Sequence, residues 1–130
     1  MAAAYTLKKL TDVKDSAPDF GIGEFQQTHF ATDDLEAEHT GFTFHHINPD
    51  ARPPFAHRHQ AAAEVYVVLA GSGRAKLDDE IFECKASDAV RVAPDVVRCS
   101  EGGPNGAELV VFGAPKADKD TELIEDWWTG

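Results

Sequence analysis

The chain has 130 residues, with 23 acidic against 12 basic side chains and a formal charge of −11. This balance argues against nucleic acid, whose phosphates require a basic face. No run approaches the roughly 18 apolar residues of a membrane helix. The opening Met-Ala-Ala-Ala-Tyr-Thr-Leu-Lys-Lys-Leu lacks the apolar stretch of a secretory leader, so the sequence reads as one cytoplasmic domain with no membrane partner. Cys84 and Cys99 are too few for a disulfide framework and are read as free thiols.

Turn residues punctuate the whole chain, and no long helix is predicted. In chain order the expected strands are 22–30, 41–47, 54–58, 64–70, 73–77, 80–84, 89–93, 96–101 and 107–112. Turns are expected at Asn48-Pro49-Asp50, Gly71-Ser72-Gly73, Leu77-Asp78-Asp79, Ala86-Ser87-Asp88 and Gly102-Gly103-Pro104-Asn105-Gly106. Eight or nine short strands at this spacing predict an all-β antiparallel sandwich or barrel. Residues 40–113 form its core, with an N-terminal segment 1–30 packed on it and a tail 114–130. Strand 64–70 is apolar on both faces, unlike a half-solvated antiparallel strand. Something covers its outer face: the N-terminal segment, the tail or a second copy of the chain. A homodimer is expected. Trp127 and Trp128 are too bulky and apolar for a frayed end, so the tail is expected to dock.

The stretch His57-Arg58-His59, with Glu64 five residues later, carries the chemistry. Residues i and i+2 of a strand share a face roughly 6.5 Å apart along it, so both imidazoles converge while Arg58 points away. Glu64 stands at an odd offset, and joins them only if the connector 60–63 turns or bulges. Two imidazoles and one carboxylate suit a first-row divalent metal. His46 shares strand parity with Phe42 and Phe44; if these face inward, it is a further ligand or pocket residue, whereas Thr43, His45 and Ile47 form the competing inward set. His29 and His39 lie in polar stretches and are expected at the surface. All five arginines fall between 52 and 98, around the candidate site, which suits a pocket for an anion.

The pattern Ala51-(five residues)-His57-Arg58-His59-(four)-Glu64-(six)-Gly71, with a degraded second motif from Ser87 to Arg98, resembles the cupin superfamily and specifically its small single-domain members. The resemblance implies a jelly-roll β-barrel, often dimeric, with its site in the barrel mouth. It implies His57, His59 and Glu64 as metal ligands, the ion being iron, manganese, zinc or nickel. The usual fourth ligand, a histidine, is replaced by Arg98, and Ala51, Ser87 and Asp95 stand where glycine is usual. A guanidinium about 5 Å from a divalent ion is repelled by several kcal/mol, so Arg98 is not a ligand. It salt-bridges Glu64 in a metal-free pocket, leans outward, or clamps a substrate carboxylate. The implied function is a metal-binding cupin acting on a small anionic organic molecule, with Arg98, Tyr66 and His46 at the ligand and with oxygenase or isomerase chemistry. The alternative is a metal-free small-ligand binding module.

Overall fold

The computed structural model describes residues 4–114 and 120–130. Eight strands follow two short 3-10 turns, Leu10–Asp12 and Ala17–Phe20: β1 (Gln26–Phe30), β2 (Gly41–Ile47), β3 (Phe55–His59), β4 (Glu64–Leu77), β5 (Glu80–Lys85), β6 (Ala89–Val92), β7 (Arg98–Gly113) and β8 (Thr121–Glu125). All pairings between them are antiparallel.

The long strands β4 and β7 pair along most of their length. The N-terminal half of β4 and the C-terminal half of β7 lie between β6 and β2, and β1 extends this first wall. The other halves pair with β5 on one side and, through His57 and Arg98, with β3 on the other; β8 extends this second wall. The sheet is thereby curled into a barrel with two walls.

Two expected turns are instead bends within continuous strands. Gly71-Ser72-Gly73 lies inside β4 and Gly102–Gly106 inside β7. Both strands change walls there, with register shifts at Val68/Ala70 and Gly71/Gly73. Glycine is needed because the backbones touch. A Cβ added at Gly73 would stand 2.1 Å from the Glu101 carbonyl oxygen, and one at Gly71, whose φ is 77°, would stand 2.1 Å from that of Gly106. Pro104 is tolerated in this stretch because the bend interrupts regular pairing.

Cross-strand partners share a face, so the inward set follows from the register. Ile47, Ala107, Leu109 and Val111 form a buried cluster, with Ala51 and Tyr66 packed against it. On the outer side of the second wall, Ala56, Cys99 and Trp128 form another, joined by Val97 and Trp127. The tail docks there: Arg52 lies 4.2 Å over the Trp128 ring and Lys76 4.4 Å over that of Trp127. Arg52 also donates to the Trp128 and Gly130 carbonyl oxygens.

The N-terminal segment covers part of the first wall. Asp15 pairs with His29, and the Ser16 N–H donates to the Thr28 carbonyl. His29 is therefore not a surface residue. It is buried against Phe44, with Nδ1 2.7 Å from the Val13 carbonyl oxygen. His39 is exposed, as its polar surroundings predict.

The outer face of β4 stays open in the single chain: Val65 is 37% exposed, Leu69 51% and Phe112, opposite Val65, 37%. Cys84 and Cys99 are both free. They lie on strands separated by β4, opposite Gly73 and Lys76. Two strand spacings are roughly 10 Å, beyond a disulfide's reach.

Candidate metal centre

On β3, His57 and His59 face the barrel interior while Ala56 packs outward and Arg58 pairs with Glu122 at the surface. The strand ends at His59 because the connector is tied elsewhere. The Gln60 N–H donates to the Asp120 backbone carbonyl, and the Ala61 N–H donates to Asp120 Oδ1 at 2.9 Å. This detour cancels the odd offset and brings Glu64, the first residue of β4, onto the face of the two histidines.

Glu64 is buried, and its Oε1 lies 3.1 Å from His59 Nε2 and 3.8 Å from His57 Nε2. The two imidazole rings meet edge to face with centroids 5.1 Å apart. One donor atom from each of the three residues lies within 4.8 Å of the others, the one such cluster among the described residues. The set fits a metal site: neutral nitrogens and a carboxylate oxygen converge where little water competes. Burial holds the His57 pKa below its usual value, with the positive charge of Arg98 adding to the effect against the opposing pull of Glu64. A neutral imidazole is the form that donates a lone pair.

Two further residues, which no local pattern marks, stand beside the cluster. Thr121 lies opposite His59 across β3 and β8, with Oγ1 3.1 Å from His59 Nδ1. Buried Asp120 places Oδ2 3.2 Å from the same nitrogen. Its negative charge favours a proton on Nδ1, the tautomer in which Nε2 would be free to hold a metal ion in place of its 3.1 Å contact with Glu64. The only signal in the sequence was an acidic residue ahead of Thr121–Glu125, in a stretch expected to be tail.

Tyr66, two residues beyond Glu64 and on the same face, donates its hydroxyl to Glu64 Oε1 at 2.9 Å. Burial, followed by the Glu64 charge, pushes its pKa well above the usual value, so it remains a phenol. Arg98 begins β7 between His57 and Leu77 and is only 3% exposed. It does not lean into solvent. Nη2 donates to the Ala93 carbonyl at 2.8 Å and Nη1 to that of Pro94 at 3.4 Å.

His46 is placed away from the cluster. Ile47 belongs to the interior, so the inward set of β2 is Thr43, His45 and Ile47, and His46 faces out with Nδ1 3.4 Å from Glu108 Oε2. The Phe42 and Phe44 parity misled because those rings pack on the outer face, Phe42 against Phe112 and Phe44 against His29. His45 instead lies with Gln26 and Thr28, its Nδ1 3.3 Å and 3.2 Å from their side chains.

No protein-family profile matches the chain. An uncharacterized protein of Methanocaldococcus jannaschii is 30% identical over 81 residues, a stretch that spans 61% of this chain and 65% of that protein's length. Among solved structures, a cupin protein from Bacteroides fragilis superposes with a TM-score of 0.67 at 22% identity, covering 91% of this chain and 89% of the other. The chain has the cupin fold. The polyketide cyclase RemF from Streptomyces resistomycificus shares this cupin architecture at a TM-score of 0.71 and 18% identity, over 95% and 87% of the two chains. Oxalate decarboxylase from Bacillus subtilis does so at 0.75 and 15%, over 95% of this chain and 34% of that one. Of the three cupin glycine positions that differ here, only Ser87, at φ 80°, takes the left-handed backbone that glycine favours; Ala51 and Asp95 do not.

Proposed function

We propose that the chain is a metal-binding cupin in which His57, His59 and Glu64 hold one divalent ion of iron, manganese, zinc or nickel, and whose barrel receives a small anionic organic molecule. The observation that carries this reading is the convergence of the three donor atoms within 4.8 Å, with burial favouring the neutral form of His57. Such an ion, with three protein ligands and open positions, supplies Lewis acidity and a place for a substrate oxygen. Tyr66 holds the Glu64 carboxylate in place, and Arg98 attracts the anion. Isomerase or oxygenase chemistry fits this arrangement, and the fold itself hosts different chemistries. Protein purified without an affinity tag and equilibrated with each of the four ions is expected to retain about one equivalent of at least one after gel filtration, measured by plasma mass spectrometry. A chain that retains none contradicts the reading.

A metal-free binding module is the second reading. It is favoured by the buried charge of Arg98 beside His57, which opposes a nearby cation. The metal-retention experiment separates the two.

We further propose that the protein is a cytoplasmic homodimer in which a second copy covers Val65, Leu69 and Phe112, large apolar side chains exposed side by side on an otherwise acidic chain. Light scattering at micromolar concentration is expected to give twice the chain mass of 14.1 kDa, and a monomer mass would refute the dimer.

A further inference from the structure

Beside the histidine and glutamate cluster lies a cavity of about 340 Å³ between the two walls. That is the lower part of the size range of small-molecule sites, roughly 300–1,000 Å³. Its walls are mainly apolar: Ile47, Val68, Leu77, Val90 and Leu109 line it, with half-exposed Phe82, and Asp88 and Ser100 are the polar groups among them. At the inner end stand Arg98 and Tyr66, the residues that connect it to the cluster. Arg74, Glu83 and Glu101 also border it, but the register places them together on the outward face of the second wall, where Arg74 and Arg52 both bind Glu101.

Arg98 keeps one donor unpaired. Its two terminal nitrogens are anchored on the successive carbonyls of Ala93 and Pro94. Its Nε is fully buried and has no hydrogen-bond partner. One edge of the guanidinium is thus spent on the backbone, while the side edge, Nε–H with the remaining Nη2–H, is left as a two-donor fork. A buried charged donor without a partner is costly, and a carboxylate is the group whose two oxygens match such a fork. Arg98 is the buried cation of the lining; Arg74, also on the lining, is already paired with Glu101. A second carboxylate on the same ligand would be desolvated among apolar side chains and would meet the like charge of Asp88.

We propose that the cavity binds a monocarboxylate with an apolar body, its carboxylate seated on the Nε and Nη2 edge of Arg98 and its body against Val68, Val90 and Leu109. This rests on the proposed role of the barrel in binding an anionic molecule and names the class of that molecule. The Tyr66 hydroxyl proton is already given to Glu64, so Arg98 supplies the donors. The preference for acid over amide comes from it, and the preference for one carboxylate over two comes from the walls.

Phenylacetate, phenylacetamide and succinate, titrated calorimetrically into the full chain, test this. Each titration is made on chelator-stripped protein and again on metal-equilibrated protein. Phenylacetate is expected to bind at least about tenfold more tightly than either other probe, the order of one charge-assisted pair. Arg98→Gln is expected to erase the margin of acid over amide, and Val90→Phe, which adds bulk to the cavity wall from β6, to weaken both aromatic probes. Circular dichroism checks that each variant is folded. Should Arg98→Gln not fold, the acid-to-amide ratio in the unmodified chain and the Val90→Phe result decide. Succinate binding as tightly as phenylacetate, an amide matching the acid, or a margin that survives in folded Arg98→Gln overturns the proposal. Metal retention without the acid preference leaves the metal reading standing and removes this one. The acid preference in a chain that retains no metal does the reverse.

Discussion

His59→Ala is expected to weaken metal binding by more than about a hundredfold, beyond the 10–100-fold typical of losing a residue that merely orients a ligand. Three constraints meet on this one ring. Nε2 faces Glu64 Oε1 at 3.1 Å, Nδ1 faces Thr121 at 3.1 Å, and the Asp120 carboxylate stands 3.2 Å away. The substitution removes one of three donors and takes a neighbour from the buried Asp120 and Glu64 carboxylates, so folded stability falls as well. Asp120→Asn keeps the ring but loses the charge that favours a proton on Nδ1. It is expected to cost about 10–100-fold in affinity. Arg58→Ala removes only a half-exposed pair with Glu122 on the outer face and is expected to leave affinity within about twofold. Chelator competition with zinc and with manganese on the three variants checks the order. Equal metal content in all three would remove His57, His59 and Glu64 as the centre.

Gly73→Ala is the backbone substitution expected to do most damage, lowering stability by about 3 kcal/mol or more. The added methyl would meet the Glu101 carbonyl oxygen at 2.1 Å, and that atom belongs to the paired strand β7 and cannot rotate away. Relief requires separating the two strands that join the walls. Gly23→Ala serves as the contrast: its nearest neighbour is Pro18 Cγ at 3.1 Å, a ring atom outside the strand pairing. Thermal unfolding should place the Gly73 variant roughly 10 °C below the parent, with the Gly23 variant much closer to it. Equal midpoints would mean that β4 and β7 do not cross at this distance.

Most strands were legible because turn residues bound them, and the cluster was legible because His57, His59 and Glu64 sit within eight residues of each other. The rest depended on long-range placement. Gly71-Ser72-Gly73 and Gly102–Gly106 carry the same residues a turn would use; glycine for a reversal and glycine for close strand approach look alike in one dimension. In β2 each face mixes apolar residues with a histidine, so a period of two cannot say whether His45 or His46 faces inward. The N-terminal segment and β7 decide that, by covering one side and enclosing the other. Asp120 reaches His59 across sixty-one positions of chain, and no local pattern announces such a contact. The second motif located Arg98, but the carbonyls that hold its guanidinium follow from how residues 93–98 bend.

The contact of β4 with β7 through bare main chain separates two properties of the barrel that are usually entangled. Its curvature is set where glycine backbones meet, whereas the shape of its interior is set by side chains such as Val68, Ala75 and Val90, which take no part in that seam. Those positions are free to change size or polarity while the two walls stay joined. A lineage built on this barrel could exchange one guest molecule for another by successive single substitutions, each judged on binding alone.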